Sequence, residues 1–207
     1  MIDFVLHVDK HLLEFVQTYG TWVYGLLFGI VFAETGFVVT PFLPGDSLLF
    51  AAGALCATGD LSMAAMMMLL MLAAFAGNAV NFTVGRFVGP RVFQSGHRLL
   101  NKAYLDRGHA FFEQYGGKAI VLGRFVPIVR TFVPFVAGAA QMTPASFVLY
   151  NAVGAIAWVT LCLGAGWLFG NIPIVKNNFS LVTIGIVFVS LLPMLIEFVR
   201  ARRGPAR

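Results

Sequence analysis

Residues 119–140 read AIVLGRFVPIVRTFVPFVAGAA, an apolar stretch interrupted by Arg124, Pro127, Arg130 and Pro134. Proline lacks a backbone donor and its ring clashes with the preceding turn, so this segment cannot form one unbroken helix. Inside a membrane, irregular backbone persists only where protein or a water-filled cavity covers it. A re-entrant helical hairpin, entering and leaving on one side, meets both conditions. Residues 40–57, TPFLPGDSLLFAAGALCA, have the same character, with Pro41, Pro44 and Gly45 at their start.

The rest of the chain supports a membrane setting. Of 207 residues, 59% are apolar and 11% charged, against about 45–50% and about 25% in soluble domains. That excludes a soluble globular fold, and leaves too little polar surface for a nucleic-acid-binding face despite a net charge of +5. Charge-free runs at 61–85 and 177–196 each suit one crossing, which takes about 20 residues. The longer run 131–175 contains a spanning helix over 146–169, and 21–39 spans if Glu34 lies inside the membrane. Six basic residues between 86 and 118, and four arginines after residue 199, belong on the cytoplasmic side. Two crossings, 146–169 and 178–199, separate these two basic regions, so segment 119–140 must return to the side it came from. In residues 2–18, polar positions recur every three to four residues and form one stripe, as in a helix lying in the headgroup plane.

The expected architecture is therefore an all-α polytopic membrane protein forming a single membrane domain, 1–207. Its parts are an interfacial amphipathic helix (2–18), spanning helices at 21–39, 61–84, 146–169 and 178–199, re-entrant hairpins at 40–57 and 119–140, a basic cytoplasmic loop (86–118) and a cytoplasmic tail (200–207). Two opposed hairpins beside spanning helices describe an inverted repeat with a site near the midplane, although sequence similarity between the halves is faint.

Ionisable side chains inside such segments cost about 2.5–3.5 kcal/mol each on insertion scales and are rarely idle. Four qualify: Glu34, Asp46, Arg124 and Arg130. On a continuous helix, two residues six apart point about 240° apart, so only a break near Pro127 lets Arg124 and Arg130 face one cavity. Guanidinium groups match phosphate oxygens bidentately and stay charged. A carboxylate held in low dielectric can exchange a proton near neutrality. Together they describe an anion site with a proton switch; the structural alternative is two buried salt bridges that orient the hairpins. Ser47, Asn78, Asn81 and Thr131 are secondary candidates for lining the site, and Asn78 and Asn81 also suit hydrogen bonding between helices.

The pattern E-T-G-F…P-x-x-P-G-D, followed by G-R-F-x-P-x-x-R-T-F-x-P-x-x-A-G, resembles the DedA family of bacterial membrane proteins, relatives of the VTT-domain scramblases. The resemblance covers roughly residues 25–170. It implies that the family's functional acids fall on Glu34 and Asp46 and its functional arginines on Arg124 and Arg130. It also implies two facing re-entrant loops, dependence on proton-motive force, a part in envelope integrity and, for some members, movement of undecaprenyl phosphate. One departure is Gly77-Asn78, where the family often has Gly-Asp: Asn78 cannot titrate.

Enzyme chemistry is not expected. The four histidines lie outside the membrane segments, Ser47 has no accompanying His–acid pair, and no P-loop is present. Cys56 and Cys162 read as packing residues, and no metal or cofactor is called for. The expected function is a lipid-phosphate flippase or scramblase of the bacterial inner membrane, with a lipid phosphate, protons and membrane lipids as partners and homo-oligomers allowed. The alternatives are a proton-dependent antiporter or small-solute transporter, and a non-transporting assembly protein.

Overall fold

In the computed structural model of the chain, the residues described are 20–37, 45–59, 61–94, 115–126, 129–170 and 172. Among them the protein is all-helical, with six helices and no strand. These are α1 (Trp22–Gly36), α2 (Gly45–Thr58), α3 (Met63–Gln94), α4 (Lys118–Gly123), α5 (Val129–Ala139) and α6 (Pro144–Gly170). The interfacial helix expected at 2–18, the span at 178–199, the tail, and most of the basic loop lie outside the described residues.

Among the described residues, two helices are long and apolar enough to cross a membrane: Met63–Gly89 and Pro144–Gly170, with mean hydropathies of 1.9 and 1.8. At 27 residues each, they extend about 40 Å, more than the hydrocarbon thickness of about 30 Å. Both start with a hydroxyl residue suited to capping. The Ser62 hydroxyl accepts from the Ala65 amide at 3.5 Å, and Thr143 precedes Pro144, a residue suited to the first helical position.

Helix α3 runs past the expected boundary at residue 84 and through Pro90, which reads in the sequence as lying near the start of a new helix. The structure shows how it does so. Pro90 cannot donate to the Arg86 carbonyl, and the Gln141 side chain donates to that carbonyl instead, at 3.1 Å. Gln141 is held in the left-handed region, at φ 56°. It follows the end of α5 in a Schellman turn, with the Gln141 amide on the Gly138 carbonyl and the Met142 amide on the Ala137 carbonyl, at 2.9 and 3.0 Å. The Arg86 guanidinium donates to the Met142 carbonyl at 3.1 Å, so its charge is accommodated without ending the helix.

Segment 119–140 is broken as expected. Helix α4 ends at Gly123, a turn follows, and α5 begins at Val129. The two short helices pack together, with Val133 and Val129 against Gly123. Helix α5 continues through Pro134. Its buried face, Val133 and Ala137, packs with Phe82, Ile120 and Phe147 and holds the helix across the missing hydrogen bond. The Phe82 and Phe147 rings stack at 4.0 Å between centroids.

The chain forms two compact units, with α1, α3 and α6 each contributing to both. The first unit takes α1 to Leu27, α2, α3 to Met67 and α6 from Thr160; the second takes the remaining parts of those helices with α4 and α5. Within the first, α2 meets α6 backbone to backbone: a Cβ at Gly53 would collide with the Leu163 carbonyl and the Trp167 amide. Within the second, α5 meets α3 in the same way, and a Cβ at Gly138 would collide with the Phe82 carbonyl and the Arg86 amide.

Candidate functional site

The second unit contains a buried polar cluster built by α1, α3, α5, α6 and the turn after α4. Glu34 stands in the last turn of α1 and Arg130 is the second residue of α5. Each charge is at the unfavourable end of its own helix: an acid where the macrodipole is negative, a base where it is positive. They form a salt bridge, Arg130 Nη2 to Glu34 Oε1. Glu34 is 0% and Arg130 6% exposed.

Arg124 follows Gly123 at the end of α4 and is 2% exposed. Its guanidinium is held by neutral oxygens. Nη2 donates to the Ala74 carbonyl at 2.7 Å, and Nη1 reaches the Asn151 carbonyl and side-chain oxygen, both at 3.2 Å. Its Nε–H has no hydrogen-bond partner among the described residues. No described carboxylate lies within salt-bridge distance of it.

Both guanidiniums lie against one indole. The central carbons of Arg124 and Arg130 stand 5.7 and 5.4 Å from the Trp158 ring centroid, within the roughly 6 Å range of a cation–π contact. The break between α4 and α5 makes this possible, because a continuous helix would point the two arginines apart. Among the described residues of this unit, Arg124, Arg130 and Glu34 thus share a site closed to solvent.

Asparagines tie the surrounding helices together. Asn81 donates to the Thr131 and Thr35 carbonyls at 2.8 and 3.3 Å. Asn78 donates to Asn151 at 3.1 Å, and Asn151 donates to the Phe75 carbonyl at 3.0 Å. The structure therefore gathers Glu34, Arg124, Arg130, Asn78, Asn81 and Thr131. Asp46, half-buried, and Ser47, buried, begin α2 in the first unit. Sequence reasoning missed Asn151 and Trp158. Asn151 carried a readable signal as the lone amide within the expected spanning helix 146–169.

Apolar helices of spanning length around sealed charges are the features of a helical membrane protein. Comparison with known proteins makes the class specific. The VTT domain matches residues 43–168, and the chain is 52% identical over 210 residues to Protein DedA of Escherichia coli K12, covering all of this chain and 96% of that protein. The chain belongs to the VTT-domain, or DedA, family of membrane proteins. It is also 42% identical over 178 residues to an uncharacterized membrane protein of Mycobacterium tuberculosis H37Rv, spanning 84% of this chain and 78% of the other. Identity to the inner membrane protein YqjA of E. coli K12 is 35% over 153 residues, 73% and 70% of the two chains. No solved structure matches the chain.

Proposed function

We propose that the protein carries a lipid phosphate across the bacterial inner membrane, with undecaprenyl phosphate as its cargo, and makes no covalent change to it. The observation that carries this reading is a pair of buried guanidiniums on one indole, of which Arg124 has no carboxylate within salt-bridge distance among the described residues. A phosphate brings the missing negative charge. The N-terminus of α5 adds partial positive charge beside Arg130.

Glu34 supplies a switch. While ionised it occupies Arg130; when it takes up a proton, Arg130 is released to the phosphate. Proton entry and cargo binding are then coupled through one side chain. Asp46 is the second acid assigned to proton coupling or gating. In this reading the protein is multi-pass, with 40–57 and 119–140 as re-entrant hairpins of an inverted repeat and with the basic loop and C-terminus in the cytoplasm. The matched glycine contacts of α2 on α6 and α5 on α3 support the repeat.

Liposomes containing the purified protein and a labelled polyprenyl phosphate test this. Translocation is expected in wild type and absent in Arg130→Ala; equal rates would remove Arg130 from the mechanism. A substrate-dependent pH change without lipid movement would favour a small-solute antiporter.

A further inference from the structure

Resting on the lipid-phosphate reading, we infer that the open groove between α3 and α6 in the second unit binds the hydrocarbon chain of the cargo while the arginines hold its head. The groove has a volume of about 410 Å³, within the range of ligand pockets. Met68, Met71, Leu72 and Phe75 of α3 face Ala152 and Ile156 of α6 across it. No polar side chain lines it. Met68, Leu72 and Ile156 are more than half exposed, so the groove opens outward, which in a membrane is toward lipid.

Its position relative to the charges identifies the occupant. Two of the residues that line it, one on each helix, hold the cluster or adjoin a residue that does. Phe75 gives its side chain to the groove and its carbonyl to Asn151. Ala74, the preceding residue, gives its carbonyl to Arg124. Ala152 follows Asn151, which binds that same guanidinium. A chain in the groove therefore lies beside the helix segments whose Ala74 and Asn151 carbonyls hold Arg124, a cation with no carboxylate within salt-bridge distance among the described residues. Bulk lipid would fill any apolar groove, but only a chain with an anionic head gains from this one. The two methionines, unbranched and polarisable, adapt to an irregular chain.

The groove also falls where the two halves of the molecule correspond. Gly85 and Gly89 of α3 match Gly166 and Gly170 of α6 in their contacts, 81 positions apart. The same shift relates Met71 to Ala152 and Phe75 to Ile156, which face each other across the groove. Transporters built from repeats place their cargo at such a junction.

Photolabelling tests this without requiring transport. The full-length protein in phosphatidylethanolamine–phosphatidylglycerol liposomes is irradiated with a polyprenyl phosphate carrying a diazirine on its chain, and in parallel with the same chain as the free alcohol. The phosphate probe is expected to label 68–75 and 152–156 saturably, at least about tenfold above the alcohol, a difference corresponding to about 1.4 kcal/mol. Ala152→Phe and, independently, Ile156→Trp should each remove most of that labelling, while Val84→Phe, on an exposed part of α3 outside the groove, should not. Equal, unsaturable labelling by both probes would overturn the proposal. So would wild-type labelling in both groove variants. If those variants label and translocate normally while Arg130→Ala does not translocate, the groove is wrong and the carrier reading stands. If the groove labels saturably but wild type moves no lipid, the groove is a binding site and the carrier reading fails.

Discussion

The crossing of α2 on α6 and the crossing of α5 on α3 repeat one another contact for contact. Phe50, Gly53 and Ala54 in the first correspond to Phe135, Gly138 and Ala139 in the second. Gly166 sits on the Phe50 carbonyl as Gly85 sits on that of Phe135, and Gly170 meets Ala54 as Gly89 meets Ala139. Each long helix thus presents a G-x-x-x-G face, the small-residue device by which membrane helices approach closely. The surroundings differ. Ser47 is the one buried polar side chain among the described residues of the first unit, whereas the second buries Glu34, Arg124, Arg130 and five neutral polar residues. The first crossing shows that this packing needs no charge. The charges of the second unit therefore require another explanation, and an anion site supplies one.

The largest expected effect separates the two units. Arg130→Ala removes the ion-pair partner of the buried Glu34 carboxylate and should cost about 3–5 kcal/mol. Ser47→Ala removes a buried hydroxyl with no hydrogen-bond partner among the described residues and should leave stability at or slightly above wild type. Denaturant titration of the purified protein in micelles measures both. A comparable loss from the two would break the contrast.

A smaller effect tests the likeness. Gly53→Ala and Gly138→Ala each drive a methyl group into a facing backbone and should each destabilise by about 1–3 kcal/mol. Tolerance at one site and loss at the other would mean that the crossings are not equivalent. Smaller again is Asn151→Ala, which withdraws one of the oxygens holding Arg124 and leaves the Phe75 carbonyl without its side-chain donor. A loss of about 1–2 kcal/mol is expected by the same titration.

Much of this could be read from residue types. A proline between two arginines in an apolar run marks the break between α4 and α5, and Glu34, Arg124 and Arg130 stand out because charge is so scarce here. Charge was a poorer guide to where helices end. Arg86 reads as the edge of a loop, yet a loop carbonyl takes its guanidinium and Gln141 takes the acceptor that Pro90 leaves, so α3 continues. Nor does counting charges settle which ones meet: two acids and two arginines balance, and it takes the structure to pair Arg130 with Glu34 and to give Arg124 neutral oxygens. The likeness of the two crossings was present in the sequence as FAAGA at 50–54 and FVAGA at 135–139. Among 22 glycines in an apolar chain, two such pentads carry little weight until each is seen against its own G-x-x-x-G face.

The central claim, that the buried charges serve an anion and do more than hold helices, is tested most directly by exchanging them. In Glu34→Arg/Arg130→Glu the ion pair is kept, and each charge moves to the favourable end of its helix, a gain of about 0.3–1 kcal/mol apiece. Stability and lipid-phosphate translocation are then measured on one preparation. The double variant is expected to be at least as stable as wild type and to move no lipid phosphate. A stable double variant that transports at the wild-type rate would contradict the claim and make the pair structural.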